Sequence, residues 1–281
     1  MIDAHQHFWQ LDQHDCRWPT SDLTPIYRDF GPEDLLPQAQ MAGVTGSVLV
    51  QSQESDADTD YLLALAGQSD FIKAVVGWVD LAATTAPARI ARLAQQPKLR
   101  GLRPMLQCRT EDDWILRPEL EPAIAAMKEH KLAFDALVYT RHLPHLELFA
   151  RRHPDLPIVI DHAAKPAVIA TDHPMEEWCI AMGRIATLTN VYCKISGLPT
   201  EAGKDQGTAE LLPYIQYLLR IFGAQRLMWG SDWPVIGLAP NKQLCTYKNW
   251  LNLVRHALTG YKTSDIESVF IGTSLRFYRI A

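Results

Sequence analysis

Leu156–Pro166 reads LPIVIDHAAKP, an apolar run rich in β-branched side chains that stops abruptly on Asp161 and His162. A run that is apolar at successive positions, instead of at every second one, fits a strand covered on both faces. Runs of this kind recur along the chain: MIDAH from Met1, GSVLVQ from Gly46, KAVVGWV from Lys73, LRGLRP from Leu99, LAFDALV from Leu132, NVYCKIS from Asn190 and RLMWGSD from Arg226. Segments with helical spacing lie between them. In AELLPYIQYLLRIF (209–222), Leu211, Ile215, Leu218, Leu219 and Phe222 fall on one stripe, and QLCTYKNWLNLVRHAL (243–258) supplies an eighth helix. Buried strands alternating with helices predict an α/β chain with a parallel sheet. Eight such units in 281 residues predict a closed (β/α)8 TIM barrel rather than an open sheet. With no linker or low-complexity tract, residues 1–281 read as a single domain.

Composition narrows the function classes. A net charge of −5 with no basic block argues against a nucleic-acid surface. The apolar runs are far too short to span a bilayer, and MIDAHQHF lacks the order of a secretory signal. The 5 cysteines are spread out and form no C-x-x-C pair, which disfavours disulfides and points to a reducing cytoplasm. The oligomeric state is left open.

In such a barrel the carboxyl ends of the strands build the active site. There the sequence places His5 and His7, Gln51, Arg103, Asp161 and His162 with Lys165 following, Lys194 and Ser196, and Ser231 with Asp232. Each has a bland reading: a hydrogen-bonded pair for Asp161 and His162, a turn cap for Asp232, a surface ion pair for Arg103, solvent-facing ammoniums for Lys165 and Lys194. Their co-location at strand ends carries the functional reading. His14, His130, His142, His145, His153, His173 and His256 fall in helices or loops and read as surface groups.

Residues i and i+2 of a strand share a face, so His5 and His7 can converge. With His162 and Asp232 they form an N₃O donor set that suits one divalent metal, Zn²⁺ first and Mn²⁺ second, with a position left for water. Such a metal lowers the pKa of water and polarises a carbonyl, and Asp232 is placed to serve also as general base. Arg103, Lys165 and Lys194 would hold substrate oxygens or a developing oxyanion. Trp9, Trp233 and Phe8 would supply apolar walls. The reaction class is hydrolysis at an acyl carbon.

DAHQHFW, VLVQ, VVGWVDL, GLRP, DHAAKP, KISGL, WGSDWPV and LRFYRI, in this order, closely resemble the amidohydrolase superfamily, in particular its branch of sugar-lactone hydrolases acting on L-fucono- and L-rhamnonolactones. The resemblance runs from residue 3 to residue 279. It implies a barrel that opens an intramolecular ester with activated water. Carried onto this chain, the resemblance places the H-x-H histidines at His5 and His7, the strand-six histidine at His162 and the strand-eight aspartate at Asp232; Asp232, His162 and Arg103 are the candidate catalytic groups. Gln51, Gln53, Lys165, Lys194, Trp233 and Trp9 are the candidates to contact the small-molecule lactone. Two-metal members carry a lysine or glutamate and a strand-five histidine. LAFDALV offers no histidine before His142, so a two-metal site is not expected. A metal-free route, as in the similar pyrone-dicarboxylate lactonase, is the alternative to one bound Zn²⁺. The rival functions are a lactonase of carboxylated lactones from aromatic or muconate degradation, a metal-dependent decarboxylase, and a sugar-binding protein without chemistry.

Overall fold

A computed structural model describes residues 1–168 and 174–281; His173 lies outside them. Eight parallel strands, β1 (Ile2–Gln6), β2 (Gly46–Val50), β3 (Ile72–Gly77), β4 (Leu99–Leu102), β5 (Ala133–Ala136), β6 (Ile158–Ile160), β7 (Val191–Ile195) and β8 (Leu227–Trp229), pair in chain order. The ring closes just beyond β8, where His7 N donates to Trp233 O at 2.8 Å and Asp232 N donates to His5 O at 2.8 Å. Those two bonds fasten the first and last motifs of the sequence to each other, so His5, His7 and Asp232 are brought together by barrel closure itself.

Helices connect the strands: α1 (Pro32–Met41), α2 (Asp56–Gln68), α3 (Ala86–Leu93), α4 (Glu121–Glu129), α5 (Leu143–Arg152), α6 (Pro174–Ile185), α7 (Thr208–Phe222) and α8 (Tyr247–Ala257). Local chemistry sets several of their starts. Ser55 Oγ accepts from Ala57 N at 3.0 Å to cap α2, and Thr246 Oγ1 accepts from Asn249 N at 3.2 Å to cap α8. The predicted α7 stripe is buried at all five positions, against the outer wall of the barrel. No helix among the described residues is long and apolar enough to cross a membrane.

Apolar side chains separate into two layers. The larger lies between strands and helices. The smaller gathers Ile2, Ala4, Val48, Val50, Ala74, Val76, Ala133, Val159 and Met228 with Phe277 and Tyr278 from the carboxyl-terminal helix α10 (Thr273–Phe277) and its cap, which follows the short α9 (Thr263–Glu267). Alternate positions of the strands thus fill the barrel interior, and the carboxyl-terminal segment supplies two aromatic rings to it.

Two expected surface histidines are buried. His142 accepts from Tyr139 N through Nδ1 at 2.9 Å, and His153 lies with its ring centroid 4.7 Å from that of Phe149. They stand at the two ends of α5, where an imidazole can satisfy loose backbone groups or cover the helix end. Periodicity within a helix does not reveal this placement.

Candidate active site

β1 departs from regular geometry where it matters. Its register against β2 slips between Asp3 and Gln6, and such a bulge re-aims side chains. Ala4 joins the interior apolar layer, while His5 also turns inward. His5 Nε2 and His7 Nε2 then lie 3.1 Å apart, with Asp232 Oδ1 at 3.8 Å from the first and 3.5 Å from the second. Asp3 secures the opposite side: its Oδ1 accepts from Ser231 N at 2.8 Å. Gly230 is required there, because a Cβ would come within 2.7 Å of the His5 Cβ.

His162 arrives by a different device. His162, Ala163, Ala164 and Lys165 all have positive φ (54°, 53°, 60° and 48°), so the chain makes a left-handed turn after β6. For residues with a Cβ this costs roughly 1–2 kcal/mol each. The surroundings hold it in place: Trp178 Nε1 donates to Ala163 O at 2.7 Å, and Lys165 N donates to His162 O at 2.8 Å. Gly197, itself at φ +64°, lies against the His162 ring, where any Cβ would overlap the imidazole. Strain of this kind is stored where a side chain must be aimed. Here it brings His162 Nε2 to 3.8 Å from Asp232 Oδ1 and leaves Lys165 on the cavity wall.

The donor atoms of His5, His7 and Asp232 all lie within 4.8 Å of one another, and His162 Nε2 lies 3.8 Å from the same Asp232 oxygen. Neighbours at about 3.3 Å are what a tetrahedron with 2.0–2.1 Å bonds demands. His7 Nδ1 lies 2.8 Å from Val50 O; donating there leaves the Nε2 lone pair facing Asp232. The groups present therefore fit one divalent cation. Burial lowers the pKa of His5 and of His7, and brings His162 to about 4, so all three rings are neutral donors near pH 7. Burial by itself would raise Asp232, but His162, His7 and His5 outweigh it and hold the carboxyl below the usual range.

Behind the imidazoles lies a buried charge network. Lys194 Nζ is 2.6 Å from Asp135 Oδ2, 2.9 Å from Asp161 Oδ1 and 3.1 Å from His5 Nδ1. Tyr278 donates its hydroxyl to Asp135 Oδ2 at 2.6 Å. Arg103 binds Asp161 Oδ2 at 3.2 Å through NH1 and the Gln51 carbonyl through NH2. Lys194 is fully buried and does not line the cavity. Its place is beneath the site, supporting His5 and Asp161. Asp135 and Tyr278 escaped the sequence reading, although both stand inside motifs it singled out.

The cavity above this floor has a volume of about 310 Å³, and His7, Arg103, His162, Lys165 and Asp232 all face it. Trp18, Met105, Leu137 and Val235 supply apolar wall. Other expected contacts lie elsewhere. Trp9 is buried against Trp18 and Phe30 and donates Nε1–H to Arg28 O at 2.8 Å. Trp233 packs edge-on to Phe8 and Phe30, and neither Phe8 nor Trp233 lines the cavity. Gln51 donates to Arg103 O at 2.8 Å. Gln53 clamps the β1–α1 loop: its Oε1 accepts from Arg17 N at 3.0 Å and its Nε2 donates to Trp18 O at 2.7 Å. That clamp holds Trp18, which the sequence reading missed, against the mouth.

Asp58 fixes the clamp in turn, its Oδ2 accepting from Ser52 N at 3.2 Å and Gln53 N at 3.4 Å. Burial raises its carboxyl to about 7, against the opposing pull of these long hydrogen bonds and Arg103. The unfolded chain deprotonates this group near its ordinary 3.8. Its contribution to stability is therefore complete below that value and is lost as pH rises through 7, a swing of roughly 4 kcal/mol at most. Asp58→Asn keeps an acceptor but no titrating proton. Its melting temperature should gain on wild type between pH 5 and pH 8; an equal difference at both pH values refutes the raised pKa.

A profile of the amidohydrolase family matches residues 2–280. The chain is 51% identical over 280 residues to an L-fucono-1,5-lactonase of Burkholderia ambifaria, an alignment covering 99% of this chain and 95% of the relative. It is 35% identical over 293 residues to an L-fucono-1,5-lactonase of Burkholderia multivorans, covering 99% and 96%. A crystal structure of an amidohydrolase from Burkholderia multivorans with bound zinc superposes with a TM-score of 0.91 at 33% identity, covering 100% of this chain and 99% of that one.

Proposed function

Since the chain belongs to the amidohydrolase family, we propose that it hydrolyses the ring ester of a sugar-acid lactone, with L-fuconolactone as the first substrate to test. The observation that carries the reading is the convergence of His5, His7 and His162 on Asp232, where His7, His162 and Asp232 line a cavity that also presents Arg103 and Lys165. The likeness to two L-fucono-1,5-lactonases supports the substrate class.

In this reading Asp232, ionised at neutral pH, takes a proton from water as the water oxygen bonds to the lactone carbonyl carbon. Arg103 and Lys165 stabilise the charge that develops on the carbonyl oxygen. The tetrahedral carbon then releases the ring oxygen, which regains the proton from Asp232, and the product is an open hydroxy acid. His5, His7 and Asp232, flanked by His162, would hold one Zn²⁺ or Mn²⁺. When bound, such an ion supplies Lewis-acid polarisation and a more acidic water. One contact supports the metal-free alternative: Arg103 NH1 lies 3.4 Å from His5 Nε2, so a guanidinium already faces one donor nitrogen.

The cavity's charge supports a sugar lactone over a carboxylated one. Arg103 is already engaged by Asp161 and Gln51, and Lys165 Nζ lies 3.7 Å from Glu201 Oε1. Little uncompensated positive charge remains to bind additional carboxylates.

Aldonolactone hydrolysis followed with a pH indicator tests the reading, on protein whose metal content has been measured. Hydrolysis well above the spontaneous rate is expected, with about one Zn or Mn per chain. No rate above background on any aldonolactone, with Zn²⁺ and Mn²⁺ each supplied to folded protein, overturns it. Full activity after complete chelation would assign the chemistry to the side chains alone.

A further inference from the structure

Ser196 directly follows β7, and its Oγ lies 2.9 Å from His162 Nδ1, with both side chains buried. The next residue, Gly197, leaves that nitrogen room: a Cβ there would come within 2.4 Å of it. The other side of the ring meets His5 edge-on, the centroids 4.4 Å apart. Packing alone hardly orients an imidazole. A half-turn about Cβ–Cγ keeps its outline but exchanges Nδ1 with Cδ2 and Nε2 with Cε1, which would turn a carbon toward Asp232. A hydrogen bond at one edge does distinguish the two orientations, and Ser196 supplies it. The opposite nitrogen, Nε2, then stands 3.8 Å from Asp232 Oδ1. A neutral imidazole has one N–H and one lone pair, so whatever holds Nδ1 also decides what Nε2 presents.

We propose that Ser196 is a positioning residue for His162: its hydroxyl accepts the Nδ1–H, which fixes the ring against a half-turn and keeps the Nε2 lone pair directed at Asp232. His7 is set in the same way by the carbonyl of Val50, an obligate acceptor. A hydroxyl can also donate, so the assignment of acceptor to Ser196 rests on the lactonase reading, in which His162 flanks the cation held by His5, His7 and Asp232. Outer groups of this kind orient a ligand and raise its basicity.

The test compares wild type with Ser196→Ala and Ser196→Cys. Cysteine nearly keeps the volume but accepts hydrogen bonds poorly, so the comparison survives if the alanine variant does not fold. The first readout is the nitrogen NMR spectrum of metal-free protein labelled on histidine, with the His162 signals assigned by their loss in His162→Asn. Wild type should show a single tautomer protonated on Nδ1, and the variants should populate the Nε2–H tautomer. Zinc affinity and kcat should each fall roughly 10- to 100-fold in the variants. A wild type protonated on Nε2 overturns the proposal. So do variants that keep the wild-type tautomer, whether or not their zinc binding weakens, since a merely structural loss would leave the tautomer alone. A wild type that opens no aldonolactone overturns the lactonase reading, while the tautomer and zinc measurements still decide the role of Ser196.

Discussion

Asp232→Asn is expected to lower kcat on the best lactone by roughly 10²–10⁴-fold, the span over which positioned proton transfer acts. Asparagine preserves the shape of the side chain and its ability to accept a hydrogen bond, but it cannot take a proton from water. The loop around it should survive, because Asp232 is placed through its backbone: its N–H donates to His5 O and its carbonyl accepts from Ile236 N, each at 2.8 Å. The melting temperature should therefore stay close to wild type. The pH profile offers a second check. Three imidazoles hold Asp232 below the usual carboxylate range, and His162 titrates at about 4, so no loss of activity from either group is expected between pH 5 and 7. In protein stripped of metal, a tenfold fall in activity for each unit of pH below 7 would contradict this ionisation state. A variant within a few-fold of wild type would remove Asp232 from the proton-transfer role. Metal analysis of the same variant distinguishes loss of base from loss of ligand, since removing the carboxylate from a three-point donor set should also lower its zinc content.

The barrel itself was legible because one physical requirement is repeated eight times: a strand buried on both faces has to be apolar throughout, and a covering helix has to be apolar on one stripe. For the same reason the polar groups at the strand ends stand out in the sequence. What the sequence does not carry is the path of the backbone at those ends. Nothing in DHAAKP announces four successive left-handed residues, since alanine is the strongest helix former and avoids that region. Only the packing of Trp178 and Gly197 selects it. The bulge in β1 is equally silent. The glutamines and tryptophans near the mouth were misplaced for a related reason. Trp9 and Gln53 lie within three residues of strand ends, yet the long β1–α1 connection (residues 7–31) needs internal anchors, and these two side chains provide them, while Gln51 bonds the Arg103 carbonyl instead. Trp18, which does face the cavity, lies in that loop, where no periodicity points to it.

Lys194 shows the same limit from the opposite direction, since a lone lysine in a strand reads as solvent-facing while here it is the positive centre of the barrel interior. Lys194→Met should destabilise the protein by about 3–5 kcal/mol, the usual consequence of removing one partner from a buried ion pair. Methionine nearly fills the space, so the loss would come from the carboxylates of Asp135 and Asp161, of which only the second keeps a cation in Arg103. At this chain length the shift in melting temperature should be on the order of 10 °C. Asp135 sets the sign of the pH dependence. Burial already raises its carboxyl, with Lys194 opposing, and without the ammonium the folded state holds that proton still more tightly. The variant's deficit should thus be smallest at acid pH and grow as pH rises. Asp135→Asn in the same chain removes one orphaned charge and should recover a sizeable part of the loss, a coupling that a double-mutant cycle measures directly. Catalysis should fall too, because His5 Nδ1 loses a neighbour at 3.1 Å that fixes its ring. A methionine variant that melts within 2–3 °C of wild type at neutral pH would mean that the buried ammonium contributes little, and that Arg103 with Tyr278 is enough to hold both carboxylates.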